Sequence, residues 1–236
     1  MFDAFTTIAI VPARDGSKGY PGKNFKKFNE KPLFLHAIDQ ALRTCDCCIF
    51  SSDNLDALQK AKNMKNVYLH KRSVRLSEDD TPIDETLLDI IDYYKLADKS
   101  LILLQPTSPL RLDSSITEAI TKHNMNKFDL VMGVTEANSS ILKYGFASND
   151  AFKPLSDPKY CFSNRQALPT VFRPNGSIFV FSSNWLLLNG SLATDNIGCI
   201  KMGEKESVDI DTQDDFRTAE LLFSNQVGSQ MYQSNL

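Results

Sequence analysis

No apolar stretch in this 236-residue sequence approaches the ~18 residues that cross a bilayer. The longest, such as Leu101 to Leu104 and Trp185 to Leu188, stop after four residues. The start, Met1-Phe2-Asp3, has neither the basic segment nor the apolar core of a secretory signal, so no membrane partner and a cytoplasmic setting are expected. Strong charge is missing too. A net −3 gives no reason to expect nucleic acid or an anionic membrane as partner. Cysteine is scarce: five residues at 45, 47, 48, 161 and 199, an odd number with no second spaced pair, exclude a disulfide framework and a four-cysteine zinc site. Cys45-Asp46-Cys47-Cys48 contains a C-x-x-C, read as thiols ending a helix and entering a buried strand. The three histidines, His36, His70 and His123, have no metal spacing and read as structural. There is no internal repeat and no low-complexity segment.

What is present is an ordinary globular balance, 42% hydrophobic and 23% charged, in a length that suits one domain with an elaboration. Thr6 to Val11 reads as a buried strand stopped by Pro12, followed by a glycine-punctuated loop to Asn24. Apolar residues at helical spacing follow Pro32. Strands are then predicted at 48–51, 66–69, 101–104, 130–134, 177–181 and 199–202, alternating with helices at 54–62, 84–96, 114–123, 184–188 and 212–223. Continuously apolar strands, each followed by a helix, predict an α/β fold: a Rossmann-like, doubly wound, mainly parallel sheet covered on both faces. From 138 to 174 the regularity breaks down around Pro154, Pro158 and Pro169, which predicts an excursion from the main sheet. The expected organisation is a catalytic domain of 1–137 and 175–224, the excursion 138–174, and a polar, frayed tail 225–236.

The richest segment is Pro12-Ala13-Arg14-Asp15-Gly16-Ser17-Lys18-Gly19-Tyr20-Pro21-Gly22-Lys23-Asn24. From 14 to 31, six basic residues (14, 18, 23, 26, 27, 31) face two acidic ones (15, 30), a local +4. A flexible cationic loop after the first strand of an α/β sheet suits phosphates, held by backbone N–H groups and by lysine or arginine ends. A Walker A loop fails because Gly22-Lys23 is followed by Asn24 rather than Ser or Thr, and no G-x-G-x-x-G dinucleotide fingerprint exists.

This loop resembles the nucleotide-binding signature of the acylneuraminate cytidylyltransferases, the CMP-sialic acid synthetase family. Three further blocks stand in the same order: Leu104-Gln105-Pro106-Thr107-Ser108-Pro109-Leu110-Arg111, Phe172-Arg173-Pro174-Asn175-Gly176 and Asp209-Ile210-Asp211-Thr212. The blocks span residues 8 to about 220. The resemblance implies a fold of the nucleotide-diphospho-sugar transferase type. It also implies transfer of CMP from CTP to the anomeric hydroxyl of a nonulosonic (sialic-type) acid, with release of pyrophosphate.

The same resemblance implies residue roles. Ala13, Arg14, Ser17, Lys18, Asn24 and Arg72 would bind the nucleotide, and Arg14, Lys23 and Gln105 would be catalytic, the cations countering charge on the α-phosphate and leaving pyrophosphate. Arg72 reads equally well as a surface arginine, and Ser51-Ser52-Asp53 would frame the base. Gln105 would orient the acceptor sugar, since glutamine has a donor and an acceptor but no useful pKa. Arg173, Asn175 and Phe179, together with Arg165 and the weaker match Lys143, would contact the sugar acid. Pro174-Asn175-Gly176 is also a strong turn by itself. Asp209 and Asp211, two apart on an extended backbone, would share Mg²⁺ or another divalent cation; Asp211 reads as well as an N-cap for the last helix, a role that could fall to Thr212. The excursion would be a dimerisation element carrying Arg165 and Lys143 into a homodimer partner's site.

Three departures from the pattern bear on the acceptor. Asp15 puts a carboxylate where glycine or a neutral polar residue is common, Phe179 replaces a frequent tyrosine, and Leu192-Ala193 stands where aromatic residues can face the acyl group. The nonulosonic acid is therefore left open. Two alternatives stay open with it: a cytidylyltransferase for the eight-carbon acid Kdo, disfavoured by Gly16-Ser17-Lys18-Gly19, and a non-catalytic nucleotide-binding homologue.

Overall fold

The computed structural model describes residues 2–16 and 18–233, with side chains through Asn225. Strand β1 (Thr7–Ala13) is followed by the loop and a two-stranded hairpin, β2 (Lys27–Phe28) and β3 (Lys31–Pro32). The chain then runs through α1 (Leu33–Thr44), β4 (Cys47–Ser52), α2 (Leu55–Ala61), β5 (Val67–Lys71), α3 (Ile83–Tyr94), β6 (Ser100–Leu104), α4 (Asp113–His123) and β7 (Leu130–Ala137). A second hairpin, β8 (Gly145–Ser148) and β9 (Ala151–Pro154), precedes β10 (Val171–Ser182), α5 (Ser183–Asn189), β11 (Ile197–Lys201) and α6 (Gln213–Gln233).

Seven strands form one sheet in the order β11-β7-β10-β6-β1-β4-β5, and every pairing is parallel except the two made by β10. The strands are apolar on both sides because both sides are covered. Ala9, Val11, Cys48, Phe50, Ile102 and Leu104 meet α1, α2 and α4 on one face. Ile8, Ile10, Cys47, Ile49, Leu101 and Leu103 meet α3 and α5 on the other. Phe34 of α1 stacks on Phe50 with ring centroids 4.7 Å apart. A third, smaller cluster of Phe28, Leu33, Leu110, Ile210, Phe216 and Ala219 fastens α6 against the first hairpin.

Two segments differ from the sequence reading. Strand β10 begins at Val171, so residues 171–174 belong to the main sheet and only the stretch before them is the excursion. Pro174 concealed this, because proline lacks the N–H a ladder needs; it sits at a bulge where the register with β7 shifts between Pro174 and Phe179, so that N–H is not required. Asn175 fits there because Gly133 of β7 leaves room: a Cβ at Gly133 would lie 2.7 Å from Asn175 Oδ1. Helix α6 continues to Gln233 instead of fraying at 225. Its last turns are polar but contain no proline, and polarity alone does not end a helix.

Candidate active site

Strand order reverses beside β1, with β4 on one side and β6 on the other, and such a switch point opens a crevice at the carboxyl ends of the strands. A cleft of about 420 Å³ lies here, lined by Pro12 and Arg14 from the end of β1, Lys18, Gly19, Lys23 and Asn24 from the loop, Arg72 beyond β5, Gln105, Pro106 and Thr107 beyond β6, and Asp209 and Asp211 before α6. Gly19 is required by close approach: a Cβ there would come within 2.5 Å of the Asp211 carbonyl oxygen.

Cations and carboxylates face one another across this cleft. Arg14 Nη1 lies 2.6 Å from Asp79 Oδ1 and Lys18 Nζ 3.0 Å from Asp79 Oδ2, so one carboxylate from the loop before α3 answers both. Lys23 Nζ donates to the Ile210 carbonyl and lies 2.9 Å from Asp211 Oδ1. Asn24 is buried; its amide nitrogen donates to the Arg14 carbonyl at 3.2 Å, while its Oδ1 has no hydrogen-bond partner among the described residues. A buried acceptor without a donor is costly, and here it lies in the wall of the cleft. Arg72 is also buried, and desolvation pulls its guanidinium down to about 10, opposed by Asp53 and assisted by Arg14. It remains charged near neutral pH.

Thr212 takes the cap of α6. Asp215 N–H donates to Thr212 Oγ1 at 3.2 Å, and Thr212 N–H donates to Asp215 Oδ2 at 2.7 Å, a reciprocal capping box. The Asp211 carboxylate is thus left for the cleft. Burial pushes the Asp209 carboxyl above the usual carboxylate range, opposed by a hydrogen bond from Thr107 and reinforced by the Asp211 charge. A cation would relieve that repulsion. Among the described residues no group of three or more metal-ligating side chains exists; two carboxylates are a donor set that can hold a divalent cation when substrate phosphates complete its shell.

The remaining site residues fall elsewhere. Ser17 lies outside the described residues. Ala13 is buried with its carbonyl accepting from Ser52 Oγ at 2.6 Å, so its position fixes the loop's departure. Arg165 and Arg173 line a second opening of about 600 Å³ with Thr135, Glu136, Phe172 and Glu204. Asn175 is buried and committed: its Nδ2 donates to Ser207 Oγ at 2.9 Å and its Oδ1 accepts from Ser177 N–H at 3.1 Å. Phe179 packs on the core beneath the sheet with Leu103 and Phe181. Lys143 Nζ donates to the Ser163 carbonyl at 2.6 Å, within the excursion. The Asp15 carboxylate is drawn to Asn54 Nδ2 at 3.4 Å, and Asp15 is absent from the cleft lining.

Asp79 and Arg111 carry roles the sequence reading did not assign. Arg111 is buried; it donates through Nε to Gln40 Oε1 at 2.9 Å, through Nη1 to the Ser177 carbonyl, and through Nη2 to the Gln105 carbonyl at 2.6 Å. It therefore joins α1, the bulge of β10 and the loop that holds Gln105. An arginine ending an apolar, proline-rich block was the available signal; for Asp79, the middle of the acidic run Glu78-Asp79-Asp80, there was none.

Residues 8–184 match the Cytidylyltransferase family. A Streptococcus agalactiae serotype V protein named N-acylneuraminate cytidylyltransferase is 30% identical over 220 residues, covering 89% of this chain but 51% of its own length, so the chain spans about half of that relative. A Legionella pneumophila protein named CMP-N,N'-diacetyllegionaminic acid synthase is 28% identical over 228 residues, covering 91% of this chain and 95% of itself. Among solved structures, a CMP:2-keto-3-deoxy-manno-octonic acid synthetase complexed with CTP has a TM-score of 0.69 at 14% identity, covering 94% of this chain and 99% of that one. At that identity the likeness is one of fold.

Proposed function

The chain belongs to the cytidylyltransferase family, and from that premise we propose that it transfers CMP from CTP to the anomeric hydroxyl of a nonulosonic, sialic-type acid, releasing pyrophosphate. The observation that carries this reading is the opposition, in one cleft at the strand switch point, of Arg14, Lys18, Lys23 and Arg72 to the pair Asp209 and Asp211. The cations neutralise the triphosphate and the pyrophosphate that leaves when the hydroxyl oxygen bonds to the α-phosphorus. The orphaned Oδ1 of Asn24 offers an acceptor to a nucleoside hydroxyl or amine. Gln105, at the end of β6, orients the acceptor. Asp209 and Asp211 would hold Mg²⁺, which when bound polarises the phosphate. Lys23, held beside Asp211 at 2.9 Å, is a cation placed to meet phosphate oxygen.

We further place the working unit as a cytoplasmic homodimer. In the excursion Phe146, Phe152, Leu155 and Phe162 are exposed, the last at 91%. Apolar side chains gathered on a loose segment call for a covering surface, and a second copy supplies it. Arg173, at the second opening, would take the carboxylate of the acid, a bidentate match to guanidinium, and the excursion would carry Arg165 to the same place in the partner copy.

Pyrophosphate release with each nucleoside triphosphate, against a panel of nonulosonic acids and Kdo, tests the reading. CTP with a nine-carbon acid is expected to give the highest kcat/KM. Comparable kcat/KM with ATP or GTP would sink it, preference for Kdo would shift it to the eight-carbon acid, and CTP binding without turnover would leave a nucleotide-binding homologue.

A further inference from the structure

Beneath the cleft, on the α3 face of the sheet, four polar side chains form a chain of hydrogen bonds. Asp89 Oδ2, on α3, lies 2.9 Å from His70 Nε2; His70 Nδ1, on β5, lies 3.0 Å from Ser51 Oγ on β4; and Arg72 Nε donates to the same Ser51 Oγ at 3.1 Å. The strands set this up. Ser51 and His70 are partners in the parallel ladder between β4 and β5, and Arg72, two residues beyond His70, keeps to the same side. Ser51, His70 and Arg72 are all buried.

Each hydrogen has one place to go. Asp89 carboxylate can only accept, so Nε2 of a neutral His70 carries the proton. Nδ1 then offers a lone pair, which takes the Ser51 hydroxyl hydrogen. Ser51 is left presenting a lone pair, and only a donor can use it; Arg72 Nε–H does. Burial disfavours the charged imidazole, which keeps the polarity of the chain fixed. A satisfied histidine core would account for His70 and Ser51 alone. It would not account for a directed chain whose far end is a guanidinium lining the nucleotide cleft.

We propose that Asp89, His70 and Ser51 are a positioning relay that fixes the orientation of Arg72, spending its Nε–H below the cleft and leaving its terminal nitrogens to the nucleotide. The relay rests on the cytidylyltransferase reading for its ligand but not for its geometry. Ser51→Ala removes the acceptor and should weaken CTP binding, measured by calorimetry, by about tenfold, the factor a lost hydrogen bond to a charged group is worth. In an Arg72→Ala background the same change should add less than about twofold, because residues acting through one another are not additive. His70→Asn, whose side-chain oxygen can stand in for Nδ1, should retain most affinity where His70→Leu does not. In the ligand-free protein, ¹⁵N NMR should find His70 neutral and protonated on Nε2. Independent, multiplying effects of Ser51→Ala and Arg72→Ala at equal thermal stability, or an Nδ1–H tautomer, would overturn the relay. Wild-type protein that bound no CTP would sink the functional reading instead, and the tautomer would then judge the relay alone.

Discussion

The two openings, taken as two ends of the proposed site, are built differently. At the β1-β4-β5 end, polar side chains are tied inward: Ser52 to the Ala13 carbonyl, Asn24 to the Arg14 carbonyl, Lys23 to Ile210 and Asp211, Arg72 to Ser51. At the β10-β7-β11 end, Arg165 and Arg173 are exposed beside an opening, and the neighbouring excursion keeps its phenylalanines in solvent. The first end is pre-organised by the chain itself, which would lower the entropic cost of binding the proposed triphosphate. The second lacks walls of its own. Between them stands Arg111, bonded to both the Gln105 loop and the β10 bulge.

Breaking the first end should cost most. Asp209→Asn or Asp211→Asn deletes charge from the carboxylate pair proposed to hold the cation and is expected to lower kcat about 10²–10³-fold at limiting Mg²⁺, with the fold retained. Wild-type rates in both variants would end the metal assignment.

Cutting the link between the ends should cost stability before chemistry. Desolvation lowers Arg111 to about 9, yet it stays charged, and its forked donors satisfy three acceptors that no other side chain among the described residues reaches. Arg111→Met removes the guanidinium donor from Gln40 Oε1 and from the Ser177 and Gln105 carbonyls, the last keeping only the Ser108 N–H at 3.3 Å, an expected loss of about 3 kcal/mol in urea unfolding. Unchanged stability would mean the region relaxes around the apolar side chain.

The second end is sharpened by mixing chains. If Arg165 works across a homodimer, Arg165→Ala and Arg14→Ala proteins, each impaired about tenfold or more, should partly restore activity together, because some heterodimers hold one site with both residues. Failure to complement in samples shown to exchange subunits, or full activity in a monomer, would refute the shared site.

The same contrast divides what the sequence revealed. Arg14, Lys18, Lys23, Asn24, Arg72, Gln105, Asp209 and Asp211 were picked out by the resemblance of their motif blocks, Arg72 reading otherwise as a surface arginine, and they line one cleft because the strand ends meet there. The sequence offered both Asp211 and Thr212 as the cap of the last helix, and the structure gives it to Thr212. The surroundings of the residues proposed for the acceptor were not legible. Phe179 and Asn175 are drawn into the core and the bulge by strand alternation and by a register shift that no local pattern reports. The start of β10 was hidden by Pro174, and the antiparallel course of that strand by an apolar run indistinguishable from its parallel neighbours. Asp79 and His70 gain their partners from residues distant in sequence, which composition cannot supply.

A smaller effect concerns pH. His36, His70 and His123 are each lowered from 6.5, chiefly by burial. As pH falls through 6.5 the unfolded chain takes up protons that the folded one refuses, so folding stability is complete above 6.5 and is lost below it, by up to ~1.4 kcal/mol per pH unit for each histidine. Urea unfolding at pH 7.5 and 5.5 should show this decline, and His123→Gln should reduce it. Stability that holds or rises over that range would show that the imidazoles protonate freely in the folded state.

The smallest expected effect probes how ready the nucleotide end is. Asp79 answers Arg14 and Lys18 where a triphosphate would sit, and Lys18 and then Arg14 hold its carboxyl below the usual range. A phosphate must displace it, so Asp79 opposes binding even as it keeps the two cations together. Its exposure limits the effect, because solvent and salt screen such pairs. Asp79→Asn should therefore tighten CTP binding only by roughly two- to fivefold at low salt, and the gain should shrink as ionic strength rises. Weaker binding in the variant at every salt concentration would mean that Asp79 serves the site chiefly by holding the 78–82 loop in place, and that this end is less complete without ligand than its hydrogen bonds suggest.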